Sequence, residues 1–249
     1  MTGQARLYVI LGSHACRTGM LLLEHKGIDY RAIELPTGFH PLALRILGLR
    51  GNKEPLRDLE GKRPHLLAAA DRMGTVPALR IDGHEVMTNA RIARFLDELR
   101  PDPPLFPADP AQRAAVEEAE RWGDQVLQMV SRRIVLGTGL RNGGEFGRLG
   151  TMLYRNAGLR RGLIAFIRRF AFDSDAKTAE RLCAQVPALL DRVDAWIADG
   201  VLGSEQLNSA DYMIVTSLAL LSYAEPVRPQ LENRPLTRLL DRVLPEPAT

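Results

Sequence analysis

The chain has 249 residues, 45% hydrophobic and 25% charged, the balance of an ordinary globular protein of one large or two small domains. That excludes a disordered tail or a fibre, and the longest apolar run without a charge, Tyr212 to Ala224, falls short of the roughly 20 residues needed to cross a bilayer. A net charge of +3 is too small to point to a nucleic-acid partner.

The sequence moves from Met1 into an apolar alternation with no basic stretch or small-residue cleavage site, so a cytoplasmic location is expected. Two cysteines, Cys16 and Cys183, have no ligand spacing around them, and no metal is expected. Of the 33 cations only Lys26, Lys53, Lys62 and Lys177 are lysines. The arginines are spread through every segment and are read as compositional background.

Arg6 to Gly12 is apolar and β-branched and stops at Gly12-Ser13, which predicts a buried strand. Cys16 to Lys26 then carries an apolar face with Gly27 at a C-cap position, a helix. Asp29 to Leu35 alternates with period two before Pro36, a second strand. Strand, helix and strand make a βαβ unit with a parallel pair. A short helix over 42–49 leads into a charged excursion at 51–74. Val76 to Ile81 and Glu85 to Met87 then flank Asp82-Gly83, a hairpin signal. Asn89 to Leu99 presents Ile92, Phe95, Leu96 and Leu99 on one helical face, with Asn89 a candidate N-cap.

Five prolines between Pro101 and Pro110 stiffen a linker. The expected organisation is therefore a first domain over 1–100, a linker over 101–110 and an all-helical domain over 111–249. In the last, helices are predicted at 111–136, 152–172, 176–198, 209–224 and 235–244, and a glycine-rich loop at 137–150 lacks the spacing of a phosphate loop.

The order of these elements, with Gly74-Thr75-Val76-Pro77-Ala78-Leu79, Asp82-Gly83, Ile92-Ala93-Arg94-Phe95-Leu96-Asp97-Glu98, Leu105-Phe106-Pro107-Ala108-Asp109-Pro110 and Ser209-Ala210-Asp211-Tyr212, resembles the glutathione S-transferases over nearly the whole chain. The resemblance implies an α/β thioredoxin-like N-terminal domain followed by an all-α helical bundle. It also implies a cis Val76–Pro77 bond beside a site for an extended thiol peptide. Ser209 and Asp211 are expected to cap the helix that follows them.

Chemistry is expected where the first strand meets the first helix, at Ser13-His14-Ala15-Cys16-Arg17, because the helix N-terminus favours a thiolate. The family places a serine, cysteine or tyrosine there, so the resemblance implies Cys16 or Ser13 as the catalytic residue. Cys16 would form mixed disulfides; Ser13 would donate its hydroxyl to a bound thiolate. Against the reactive thiol stands a small apolar residue packed under the helix, the common state of a free cysteine. His14 occupies the position of the family's usual proline, where it either contacts a ligand or is a loop residue. Thr88-Asn89 stands where the family has an acidic residue or glutamine followed by serine; both side chains can donate to a carboxylate, but neither supplies a countercharge for an amino group.

The thiol cosubstrate implied is glutathione or another low-molecular-weight thiol, bound by Ser13, His14, Cys16, Val76, Pro77, Thr88 and Asn89. The expected reaction is thiol transfer or exchange on a small hydrophobic electrophile. Two other classes fit the same fold: a non-catalytic ligand carrier, and a scaffold using the excursion at 51–74. A homodimer is implied by the resemblance. The basic amphipathic stretch at 160–170 fits a bundle helix, with membrane-surface association as the alternative. Trp122 and Tyr154 are weighed as pocket-lining or core residues, and Cys183 as core.

Overall fold

The computed structural model of the chain describes residues 4–10, 12–49, 74–138, 162, 165 and 174–245. The excursion at 51–74 lies outside them except for Gly74. So do Tyr154, most of the glycine-rich stretch and the basic stretch at 160–170, apart from Gly162 and Ala165.

Among the described residues the first half runs β1 (Ala5–Val9), α1 (His14–His25), β2 (Tyr30–Glu34), α2 (His40–Ile46), β3 (Ala78–Ile81), β4 (His84–Met87) and α3 (Asn89–Leu99). The strand order is β2-β1-β3-β4, with β1 parallel to β2 and the other pairs antiparallel. Side-chain alternation assigns the two faces. Ala5, Leu7 and Val9 of β1 join Leu79 and Ile81 of β3 in the main core under α1 and α3. Tyr8, Ala78 and Met87 point the other way, onto Leu35, Leu44 and Leu49 beneath α2. The β3–β4 turn is Asp82-Gly83, both with positive φ, as the dipeptide predicts.

The second half is helical throughout its described residues: α4 (Pro110–Trp122), α5 (Gln128–Thr138), α6 (Ala176–Cys183), α7 (Val186–Ala198), α8 (Ser209–Leu221), α9 (Arg228–Leu231) and α10 (Pro235–Val243). Two long predicted helices are interrupted. A π-helical turn at Gly123–Leu127 separates α4 from α5. The expected helix at 176–198 breaks at Ala184-Gln185, ahead of Pro187 in the first turn of α7. The cap of α8 also differs from expectation. Asn208 is the N-cap and accepts from the Ala210 and Asp211 amides, while the Asp211 carboxylate accepts from the Asn208 and Gly203 amides, both at 2.8 Å. Ser209 instead donates its hydroxyl to Glu120. Trp122 is buried and meets Trp196 edge-on at 5.2 Å, a core role. Cys183 is half-buried against the core.

α8 is the central helix, with ten of its thirteen residues from Ser209 to Leu218 buried in an unbroken run. α1 packs on one side of it, through a buried pair of hydroxyls, Thr18 and Thr216, 2.7 Å apart. α4 and α5 pack on another, where a Cβ at Gly123 would stand 2.9 Å from Met213 Cγ. α5 meets α6 more tightly still: a Cβ at Gly137 would lie 2.5 Å from Ala179 Cβ and 2.8 Å from the Asp175 carbonyl oxygen. Gly137→Ala is therefore expected to cost about 1–3 kcal/mol by overpacking, more than the roughly 1 kcal/mol gained in helix propensity. Gly123→Ala meets side-chain atoms alone, Met213 Cγ and, at 3.1 Å, Ile214 Cγ1, with no backbone in the way, and should cost less than Gly137→Ala. Urea midpoints of the two variants measure the contrast, and equal midpoints would contradict it.

Candidate functional site

Gly12, at φ 75°, makes the sharp exit from β1 that only glycine adopts without cost. Ser13 follows in extended conformation as the N-cap of α1, its Oγ accepting from the Cys16 amide at 3.3 Å. That interaction uses an acceptor position of the hydroxyl and leaves its proton available for donation. The remaining amides of the first turn have no intrahelical partner, so the turn carries the positive end of the helix dipole.

Two elements of the sheet half hold this turn in place. The Val76–Pro77 bond is cis, as expected, and the Pro77 ring lies 3.1 Å from where a Gly19 Cβ would be. The glycine is what admits α1 this close. Val76 precedes the β3 ladder, and no backbone group among the described residues pairs with it, so its main chain is open to an extended ligand. Thr88 takes φ 73° and donates its amide to the Pro77 carbonyl at 3.3 Å. Asn89 is the first residue of α3 rather than its cap, and its Nδ2 donates to the Ala15 carbonyl at 2.9 Å. Its Oδ1 is buried without a partner on the Gly19 side. Asn89 thus acts on the site by fixing α1, while Thr88 and Val76 border it.

The two candidate catalytic side chains differ in access. Ser13 is half-buried; Cys16 is 2% exposed and belongs to the main core. Burial pushes the Cys16 thiol up, against smaller downward effects of the Ser13 hydroxyl, the Ile10 backbone and the Arg132 charge. A thiol held neutral in this way is a poor nucleophile. Cys183 is likewise pushed up by burial.

His14, the first residue of α1, is buried with its Nε2 unpartnered. Burial first, and then the Arg132 charge, hold its imidazole neutral. His40, at the start of α2, has an unpartnered Nδ1 and is held down to about 4 by the same two causes. The charge of one guanidinium of α5 thus acts on His14, Cys16 and His40. Neither Arg132 nor His40 stood out in the sequence: His40 carried only the helix-start signal of Pro41, and Arg132 was one of many arginines. No group of three or more possible metal ligands exists among the described residues.

The sign of the pH effect follows from these shifts. An unfolded histidine titrates near 6.5, and a folded value below that means the unfolded chain binds more protons as pH falls, so the stability present above pH 6.5 is lost toward pH 4. Replacing His40 removes that loss. The stability of wild type relative to His40→Gln should therefore decline between pH 6.5 and pH 4 by up to about 1.4 kcal/mol per pH unit, measured by urea unfolding at stepped pH; a constant difference would contradict it. Asp211, raised by burial to about 6, slopes the opposite way between its ordinary value and 6, but it is common to both proteins and cancels.

Residues 12–99 match the family described as "Glutathione S-transferase, N-terminal domain". "Probable maleylacetoacetate isomerase 1" of Drosophila melanogaster is 44% identical over 62 residues, 24% of this chain and 25% of its own length. "Maleylacetoacetate isomerase" of Mus musculus is 48% identical over 114 residues, 46% of this chain and 44% of the mouse protein. The matched chain thus spans less than half the length of these relatives. A solved glutathione S-transferase of Ceriporiopsis subvermispora in complex with glutathione superposes with a TM-score of 0.64 at 16% identity, covering 98% of this chain and 99% of that one. Maleylacetoacetate isomerase from Anaeromyxobacter dehalogenans, with glutathione bound, gives 0.56 at 19% identity over 98% and 92%. At these identities the likeness to the solved structures is one of fold.

Proposed function

Given that this chain carries the N-terminal domain of the glutathione S-transferase family, we propose that it binds glutathione across Val76-Pro77 and Thr88 and activates the thiol at Ser13 for attack on a small electrophile. The observation that carries the reading is the half-buried Ser13 hydroxyl at the α1 N-terminus, beside a Cys16 too buried to act.

In this reading the thiol approaches the first turn of α1, and its proton passes to solvent. Ser13 donates its hydroxyl to the sulfur, and the helix dipole lowers the energy of the thiolate. The sulfur forms a bond to an electrophilic carbon as the leaving group departs with its electron pair. Cys16 supports the turn from beneath, and Asn89 keeps α1 in register through Ala15. In this reading the acceptor meets the sulfur at the α1 N-terminus, on the side of the helical half. Pairing as a homodimer belongs to the same proposal.

The relatives named maleylacetoacetate isomerase favour a second reading, in which the thiolate adds to a carbon–carbon double bond and leaves again, so that glutathione is not consumed. Assays of purified protein with glutathione and 1-chloro-2,4-dinitrobenzene, and separately with a cis-unsaturated diacid, test both. Turnover of either that requires glutathione supports the thiol-dependent reading. Binding of a hydrophobic dye without glutathione binding or turnover would replace it with the carrier.

A further inference from the structure

α1 is gripped at one level by both halves of the chain. On the sheet side a Cβ at Gly19 would stand 3.1 Å from the Pro77 ring. One residue earlier, Thr18 Oγ1 meets Thr216 Oγ1 of α8 at 2.7 Å, across 198 residues of sequence. The two threonines are 0% and 2% exposed, so their hydroxyls must find partners within the protein.

The protons of this pair are countable. Thr18 Oγ1 reaches the His14 carbonyl at 3.3 Å, while Thr216 Oγ1 reaches the carbonyls of Tyr212 at 3.1 Å and Met213 at 3.3 Å. Each hydroxyl has a single proton. The short bond between the hydroxyls uses one of the two, so the other goes either to α1 at His14 or to α8 at Tyr212 or Met213. When Thr216 donates to Thr18, Thr18 donates to His14, and the run of bonds is strengthened by polarisation. When Thr18 donates to Thr216, the His14 carbonyl keeps only the helical bond from the Thr18 amide. The pair is a relay with two proton orders, one serving each half of the chain.

The place of that carbonyl gives the relay its use. His14 opens α1 directly after the N-cap Ser13. A threonine hydroxyl bonded to the carbonyl four residues back often bends a helix there. Ser13 is tied to the same turn twice, its Oγ accepting from the Cys16 amide and its carbonyl from the Arg17 amide at 3.0 Å. We propose that Thr18 is a positioning residue for the thiol site, holding the first turn of α1 through the His14 carbonyl, and that Thr216 is the element of α8 that draws its proton away or returns it. This role rests on the reading that Ser13 activates the thiol, since Thr18 acts on the sulfur only through the direction in which Ser13 presents its proton.

The test compares Thr18→Val, Thr216→Val, the two together, and Thr18→Ser. Either valine leaves the remaining threonine a carbonyl within its own helix, so no buried donor is orphaned, and urea midpoints report that each variant is folded. Hydrogen exchange of the Arg17 and Thr18 amides in the free protein reads the turn. Calorimetric titration with glutathione in two buffers of different ionisation enthalpy reads the protons released per thiol bound. Thr18→Val should speed exchange of both amides about threefold to tenfold, the worth of one hydrogen bond, and lower proton release at saturation, while Thr18→Ser restores both. Thr216→Val leaves Thr18 no partner but His14, so exchange should stay at or below the wild-type rate. The double variant should behave as Thr18→Val alone, because Thr216 acts through Thr18. Equal acceleration by the two valines would show a plain clamp between helices and overturn the relay. So would unchanged exchange in Thr18→Val, or a loss of proton release that serine does not restore. Glutathione binding to wild type without proton release would reject thiol activation at Ser13 instead, and amide exchange then decides the relay by itself.

Discussion

Asp97→Ala is expected to lower folding stability by about 3–5 kcal/mol, the cost of leaving a buried charge without its partner. The Lys26 side chain is 0% exposed, and its Nζ lies 2.7 Å from Asp97 Oδ1 and 2.6 Å from the Pro103 carbonyl oxygen. The same Asp97 oxygen accepts from the Leu105 amide at 2.7 Å. One carboxylate thus ties the end of α1 to the proline-rich segment, and alanine orphans both an ammonium and an amide. Next to Lys26, His25 joins Tyr212 Oη at 2.8 Å, so α1 is fixed to α8 at the same end. Urea unfolding measures the loss. The double variant Lys26→Met with Asp97→Leu should recover much of it, since an apolar replacement of a buried pair removes the desolvation cost along with the attraction. A loss below about 1 kcal/mol in Asp97→Ala would place the pair among weak surface bridges and contradict the assignment.

The second large effect is on activity. Ser13→Ala should lower kcat/KM for the glutathione-dependent reaction by about 10²-fold, the effect of removing one donor to a developing or bound anion. Cys16→Ala should change it by less than about threefold, with a small loss of stability from the methylene and sulfur removed from the core. Reversed magnitudes would return the chemistry to Cys16 and to mixed-disulfide exchange.

Local chemistry made much of the sheet half legible. Asn89 to Leu99 carries its own helical period and ends where the structure ends α3, and Asp82-Gly83 fixes the hairpin before any contact is known. The break before α7 had a signal in Pro187 that the apolar period overrode. For α8, Asn208 with Asp211 three residues on is the capping-box spacing, but the adjacent Ser209 offered a rival cap; burial decided it by turning that hydroxyl onto Glu120.

The site was legible only as far as its backbone devices. Gly12-Ser13 and Val76-Pro77 announce a turn and an open strand edge, because glycine and proline act on their own φ. Nothing local marks Lys26 as buried or the Arg132 charge as one that acts on His14. The first follows from closing α3 and the proline-rich segment over the end of α1, the second from the placement of α5 after a helical turn whose sequence, Gly123 to Leu127, reads as ordinary helix. Relations made between segments seventy or more residues apart leave no period to read.

The most direct test of Ser13 as the thiol-activating residue is calorimetric titration of glutathione into wild type, Ser13→Ala and Cys16→Ala at pH 7, each in two buffers of different ionisation enthalpy. The difference between buffers reports the protons released on binding. A thiol driven to thiolate at Ser13 should release its proton in wild type and Cys16→Ala, and much less in Ser13→Ala. Proton release that survives in Ser13→Ala, or that disappears in Cys16→Ala, would contradict it.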